Sequence, residues 1–154
     1  MQDVGRTIAA HKKHIQPLAS KYPKLRLSSP AVTNGVKDAK TGAPMGIPYM
    51  KAFLAGCKDC KIDFVACHWY EHADNVEYFK KHLREVHEAA RKPVWLTEFG
   101  VTGGDPEKFL RAVIPWMAEQ PWIERHAFFW AAPGFMINKD GKGVSGQGRT
   151  YATV

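Results

Sequence analysis

Apolar residues recur along this chain with two spacings, helical and strand-like, and the two alternate. From Thr7 to Tyr22 the positions Ile8, His11, Ile15 and Leu18 return at helical intervals, and Pro23 stops the run. Pro17 inside it predicts a kinked last turn or an early end. Leu25-Arg26-Leu27-Ser28-Ser29 reads as a short strand halted at Pro30, followed by a loop ending at Gly35 and a Lys-, Gly- and Ala-rich connection to Gly46. Ile47 to Cys57 is a helix with Pro48 in its first turn and Ile47, Met50, Phe53 and Leu54 on one face. Lys61 to Tyr70 is a strand, and period two sends Phe64, Ala66, His68 and Tyr70 to one side of it. Asp74 to Ala90 is a helix with Asp74 as N-cap and an apolar stripe of Val76, Phe79, Leu83 and Val86. After the Val94 strand, Asp105-Pro106 opens a helix buried through Phe109, Leu110, Val113 and Met117, with a kink expected at Pro115. Glu124 to Ala131 is the last strand, with His126, Phe128 and Trp130 on one face. Residues 138–154 read as a loop-rich tail with one short terminal element.

Strands thus begin near Leu25, Ile62, Val94 and Glu124, about 30 to 37 residues apart, with a helix between each pair. Alternation of this kind predicts a parallel sheet. Four βα units are half of an eight-stranded barrel, which typically needs about 250 residues. The 154 residues therefore read as one half-barrel unit, residues 1–154, of the α/β class.

The stretch Lys92-Pro93-Val94-Trp95-Leu96-Thr97-Glu98-Phe99-Gly100 carries the chemistry. Pro93 ends the preceding helix, Val94 to Leu96 is a short apolar strand of the kind buried on both faces, and Gly100 closes it. Glu98 places a carboxylate at the carboxyl end of that strand, where an unpartnered charge is costly and where barrels keep their catalytic groups. His68 and Tyr70 share the inward face near a neighbouring strand end, placed to hydrogen-bond a ligand or to hold Glu98. Trp130 at the end of the last strand offers a flat ring for stacking or for core filling, and Asn34 is either a cleft residue or a turn residue before Gly35. Trp69 and Trp95 point to the helices if alternation holds.

Composition narrows the reading. Apolar residues make up 45% and aromatic residues 12%, which argues against disorder. The net charge is +7, but the basic residues are scattered over helix faces without interleaved aromatics, so nucleic acid is not an expected partner. No apolar run is long enough to span a membrane. The first residues have no apolar signal core, so this chain stays inside the cell unless its true start lies upstream. Three cysteines occur, Cys57 and Cys60 as a C-x-x-C and Cys67 beside His68. A Cys57–Cys60 disulfide and free buried thiols are both open. A zinc site lacks a second C-x-x-C, and Cys67 and His68 would face opposite sides of one strand.

Leu27-Ser28-Ser29-Pro30-Ala31-Val32-Thr33-Asn34, Cys57-Lys58-Asp59-Cys60, Ile62 to Tyr70, Lys92 to Gly100, Ile114-Pro115-Trp116-Met117 and Ile123 to Trp130 occur in that order. Together they resemble glycoside hydrolase family 128, the fungal-type catalytic core of the alkali-sensitive-linkage kind, from the first helix to about Tyr151. The resemblance implies a (β/α) barrel enzyme that cuts β-1,3-glucan with retention, without a cofactor or metal, outside the cell or at the cell wall. It makes Glu98 the nucleophile at the end of the seventh strand and the four strands here the fifth to eighth. The family's acid/base, a Glu in an Asn-Glu-Pro motif, has no counterpart, so the chain resembles the carboxyl-terminal half of such an enzyme.

Glu71 and Asp74 lie on the correct rim, but no spacing sets either opposite Glu98. Glu124 opens its strand at the wrong end. Two other readings stand beside the hydrolase: a non-catalytic half-barrel holding polysaccharide on Trp130, Tyr70 and His68, and a zinc-stabilised interaction domain using Cys57, Cys60, Cys67 and a His. A half-barrel also leaves sheet edges open, which predicts self-association.

Overall fold

The computed structural model describes residues 3–154. Three parallel strands lie in the order β1 (Val65–Glu71), β2 (Val94–Val101) and β3 (Ile123–Phe128). They are preceded by α1 (Val4–Ala10), a π-helical turn (His11–Ile15), α2 (Gln16–Lys21) and α3 (Gly46–Gly56), and joined by α4 (Val76–Ala90) and α5 (Pro106–Ala118). α6 (Gly146–Thr153) follows the loop after β3. This is part of a (β/α) barrel, with the helices on one side of the sheet. No helix among the described residues is long and apolar enough to cross a membrane.

Local chemistry accounts for most of the boundaries. Asp3 caps α1 by accepting from the Arg6 N–H at 2.8 Å. Pro17 offers no N–H to the ladder, and the helix passes it by widening one turn, in which Gln16 N–H bonds the His11 carbonyl five residues back. Asp105 caps α5 through the Glu107 and Lys108 N–H groups, and Pro106 occupies its first position. The helix runs on through Pro115 to Ala118. The N-cap of α4 is Asn75 rather than Asp74, whose carboxylate sits 3.3 Å from the His72 ring.

The expected first strand does not form as a strand. Residues 25–32 pair with the β1 segment as two isolated parallel bridges, Ser28–Phe64 and Val32–Cys67, rather than as a continuous ladder. The pairing is interrupted around Pro30. Ser29 N–H bonds the Phe64 carbonyl and Val32 N–H the Ala66 carbonyl, one residue more than a regular ladder allows. Between them the Ser29 hydroxyl oxygen accepts the Ala66 N–H at 3.2 Å in place of a backbone carbonyl. The ladder resumes where His68 N–H donates to the Val32 carbonyl at 2.7 Å.

The core lies between sheet and helices. Trp69 is fully buried there, stacked on Phe109 and edge-on to Phe79, with Phe99 packed alongside. Among the described residues no helix covers the opposite face of the sheet. On it Phe64 stacks on Trp95 with ring centroids 3.7 Å apart, and the Arg125 guanidinium sits over the same indole. Trp95 therefore does not face the helices, contrary to simple alternation. The β1 register explains it: Cys67 pairs with Leu96 but His68 pairs with Glu98, so Thr97 is an extra residue, a β-bulge. His126 and Phe128, by contrast, face the helix side, packed on Phe99 and on Tyr151 of α6. Trp130 lies beyond the end of β3 and does not share their face.

Candidate active site

Regular alternation would put Glu98 with Val94 and Leu96, in the apolar layer under the helices. The bulge at Thr97 turns it instead to the open face, opposite His68. Phe99, one residue on, stays in the core at 0% exposure. One inserted residue thus reconciles a buried aromatic and a half-exposed carboxylate at adjacent positions.

Tyr70 reaches across from β1 and donates its phenolic O–H to Glu98 Oε1 at 2.5 Å. Burial, and then the Glu98 charge it faces, hold the Tyr70 phenol well above its ordinary range, so it remains a donor. Its ring crosses Gly100, where an added Cβ would come within 2.9 Å of Tyr70 Cε1. The glycine read from sequence as a strand end is therefore what lets the tyrosine lie flat enough to reach the carboxylate. Asn34 fixes the backbone beneath: its Oδ1 accepts the Tyr70 N–H and its Nδ2 donates to the Tyr70 carbonyl, both at 3.2 Å. The Asn34 side chain thus completes the strand pairing that the interrupted segment leaves off, and it is itself held by the Tyr78 hydroxyl, which donates to the Asn34 carbonyl at 3.1 Å.

His68 lies on the same face with Nδ1 4.0 Å from Glu98 Oε2. That is too long for a direct hydrogen bond and leaves room for a bridging water or hydroxyl. Trp130 is 47% exposed and packs on Phe129, whose ring is edge-on to Tyr70. Phe135, 43% exposed, extends this aromatic surface. Neither Phe129 nor Phe135 carries a motif that singles it out in the sequence.

Among the described residues no second carboxylate is paired with Glu98. Glu71 accepts from the His72 N–H. Glu124 accepts from the Trp95 indole N–H at 2.7 Å and pairs with Arg26; the Trp95 bond first, then Arg26, holds its pKa below the usual range. Cys57 and Cys60 form a disulfide, whereas Cys67 is free and buried in the main core, its thiol pushed up to about 12 by burial. The four-ligand zinc set of three cysteines and a His is therefore not assembled.

A family model described as the glycosyl hydrolase catalytic core matches residues 3–151. Alkali-sensitive linkage protein 1 of Schizosaccharomyces pombe is 31% identical over 104 residues, 67% of this chain and 17% of that protein. A curdlan-specific exo-β-1,3-glucanase of GH128 subgroup III from Blastomyces gilchristii, solved with glucose, superposes with TM-score 0.78 at 35% identity over 96% of this chain and 61% of its own. An endo-β-1,3-glucanase of subgroup II from Sorangium cellulosum gives TM-score 0.79 at 23% identity, over 96% and 62% of the two chains, a likeness of fold alone. The chain thus spans about three fifths of these solved relatives and a smaller part of the curated one. It belongs to the glycosyl hydrolase catalytic core family, with a core of the GH128 glucanase type.

Proposed function

We propose that this chain is the nucleophile-bearing half of a retaining β-1,3-glucan hydrolase. The observation that carries the reading is the Tyr70–Glu98 bond at the carboxyl ends of two neighbouring parallel strands. Tyr70 holds one carboxylate oxygen and leaves the other, 4.0 Å from His68, free to attack an anomeric carbon. A glycosyl ester on Glu98 would then be released by water. Retention requires a second carboxyl about 5–5.5 Å away to protonate the leaving oxygen and later activate that water. We assign that group to amino-terminal βα units that this chain does not contain, because the solved relatives extend beyond it. β-Glucan binds along the rim formed by His68, Tyr70 and Trp130, with Asn34 acting through the Tyr70 backbone. The Cys57–Cys60 disulfide suits an oxidising compartment such as the cell exterior or wall.

The test is hydrolysis of a soluble β-1,3-glucan by the chain joined to the amino-terminal units of a GH128 core. The wild-type assembly is expected to release reducing ends, the chain alone to release none, and Glu98→Gln to remove activity while leaving the melting curve unchanged. Wild-type turnover by Glu98→Gln would overturn the assignment. A second reading, a polysaccharide-binding half-barrel without turnover, is favoured by the exposed Trp130 and Phe135 pair. Glucan retention by the chain that is lost with Trp130→Ala, in an assembly that never hydrolyses, would support it.

A further inference from the structure

Away from Glu98, three metal-binding side chains converge where the π-helical turn meets the end of α3. His11 Nδ1, Cys57 Sγ and Cys60 Sγ all lie within 4.8 Å of one another. His11 and Cys57 are buried and Cys60 is half-buried beside the exposed Asp59. We propose that, once the Cys57–Cys60 disulfide is reduced, these three side chains form a binding site for a thiophilic divalent cation of the zinc class.

The imidazole is already set for this role. Its Nε2 lies 3.2 Å from the Ser28 carbonyl, which can only accept, so Nε2 carries the proton. Its Nδ1 faces the Gln16 amide, a donor, at 3.2 Å, and so presents a lone pair. A ligating histidine that donates its other N–H to a backbone carbonyl is the usual support for a metal-bound imidazole. Cys57 Sγ is 4.0 Å from that Nδ1. Tetrahedral zinc, with sulfur at about 2.3 Å and nitrogen at about 2.0–2.1 Å, separates the two atoms by about 3.6 Å, so a shift of a few tenths suffices. The two thiolates would part to about 3.8 Å, and water would take the fourth position. Binding displaces the Gln16 amide from Nδ1.

The site does not depend on the disulfide for its shape. Gln16 bonds both the N–H and the carbonyl of Lys61, at 2.8 and 3.2 Å. Lys12 pairs with Asp59 at 2.7 Å. Phe53 and Ile62 pack around Cys57, and the His11 ring is edge-on to Phe53. These contacts hold the helix and the C-x-x-C loop together whether or not the sulfurs are joined.

The chemistry balances. A dithiol reductant gives two electrons and two protons to the sulfurs and leaves as its own cyclic disulfide. The cation then displaces one proton from each thiol to solvent. Two thiolates and a neutral imidazole around a doubly charged ion carry no net charge, which suits a buried position.

The test uses the whole chain with cobalt(II) as the probe. Protein reduced with a phosphine is expected to bind one cobalt per chain with a thiolate-to-metal charge-transfer band, displaced by zinc. The oxidised chain is expected to show no band, and Cys67→Ser to keep it. Cys60→Ser and His11→Gln should each lose or strongly weaken it. Cys60→Ser decides the matter if the buried His11 change prevents folding. A reduced chain with no band, an oxidised chain that binds equally, or a band unchanged in Cys60→Ser would overturn the proposal.

Discussion

At the scale of the residue, the ionisable groups divide into those that face the cleft and those that burial has silenced. His82 belongs to the second kind. It is 3% exposed in α4, its Nε2 has no partner, and burial pulls its pKa down to about 4. An unfolded histidine takes up a proton below about pH 6.5, whereas the folded one does so only near 4. The unfolded state therefore binds more protons between those values, and stability falls as pH drops through that window. It is complete above pH 6.5. His126, lowered by burial in the same direction, adds a smaller slope. Unfolding free energies from denaturant titrations at pH 7 and pH 4.5 should differ by up to about 2–3 kcal/mol in the wild type, and by clearly less in His82→Leu. Equal pH slopes in the two proteins would exclude His82 as the cause. Glu98 was legible at this scale because a carboxylate ends an apolar strand. Gly100 was legible only as punctuation, since its role depends on a ring from another strand.

At the scale of the element, the periods found β1, β2 and β3, and they were plainest where one apolar face is buried, as in β1, β2, α4 and α5. What they did not show were the irregularities: the bulge, the π-helical turn and the broken edge at Pro30. Period two contains no mark for an extra residue, although one hint exists. The helix-facing apolar positions run Val94, Leu96, Phe99, a step of two and then of three. Both ladders carry the offset, since Leu96 and Phe99 pair with His126 and Phe128 on β3 as well. Deleting Thr97 would therefore remove this offset from both ladders while leaving Glu98 inward and Phe99 in the core. We expect the deletion to be tolerated, within about 1–2 kcal/mol of wild type. Deleting Leu96 should be far more damaging, because it moves Thr97 into the apolar layer and removes a buried leucine, at about 2–5 kcal/mol. Thermal melts of the two variants compare them directly, and equal losses would contradict the bulge account.

At the scale of the whole molecule, the sheet has one covered face and one open one. β3 forms its edge, and most of its residues are exposed or half-exposed. A groove of about 520 Å³ between the first helices and the residue 26–30 segment is lined by Ile15, Leu18, Leu27 and Phe64. Apolar surface of this kind and an unpaired parallel edge favour association. The isolated chain is expected to sediment as dimers or larger species at micromolar concentration. A monodisperse monomer with a sharp cooperative melt would show that the open face is self-sufficient.

The state of the three cysteines has a practical side. Two are joined to each other and the third is fully buried with a thiol that stays protonated, so the oxidised chain offers alkylating reagents no native target. A single cysteine introduced on the outer surface would be the only addressable thiol. Lys81, 70% exposed on α4, lies on the helix side of the sheet. Maleimide coupling of Lys81→Cys would tether every molecule in one orientation with the Glu98 face turned away from the support, and glucan binding could be read on an oriented monolayer in which neighbours are kept apart. Labelling of the parent chain under the same conditions would show that a native thiol is within reach after all.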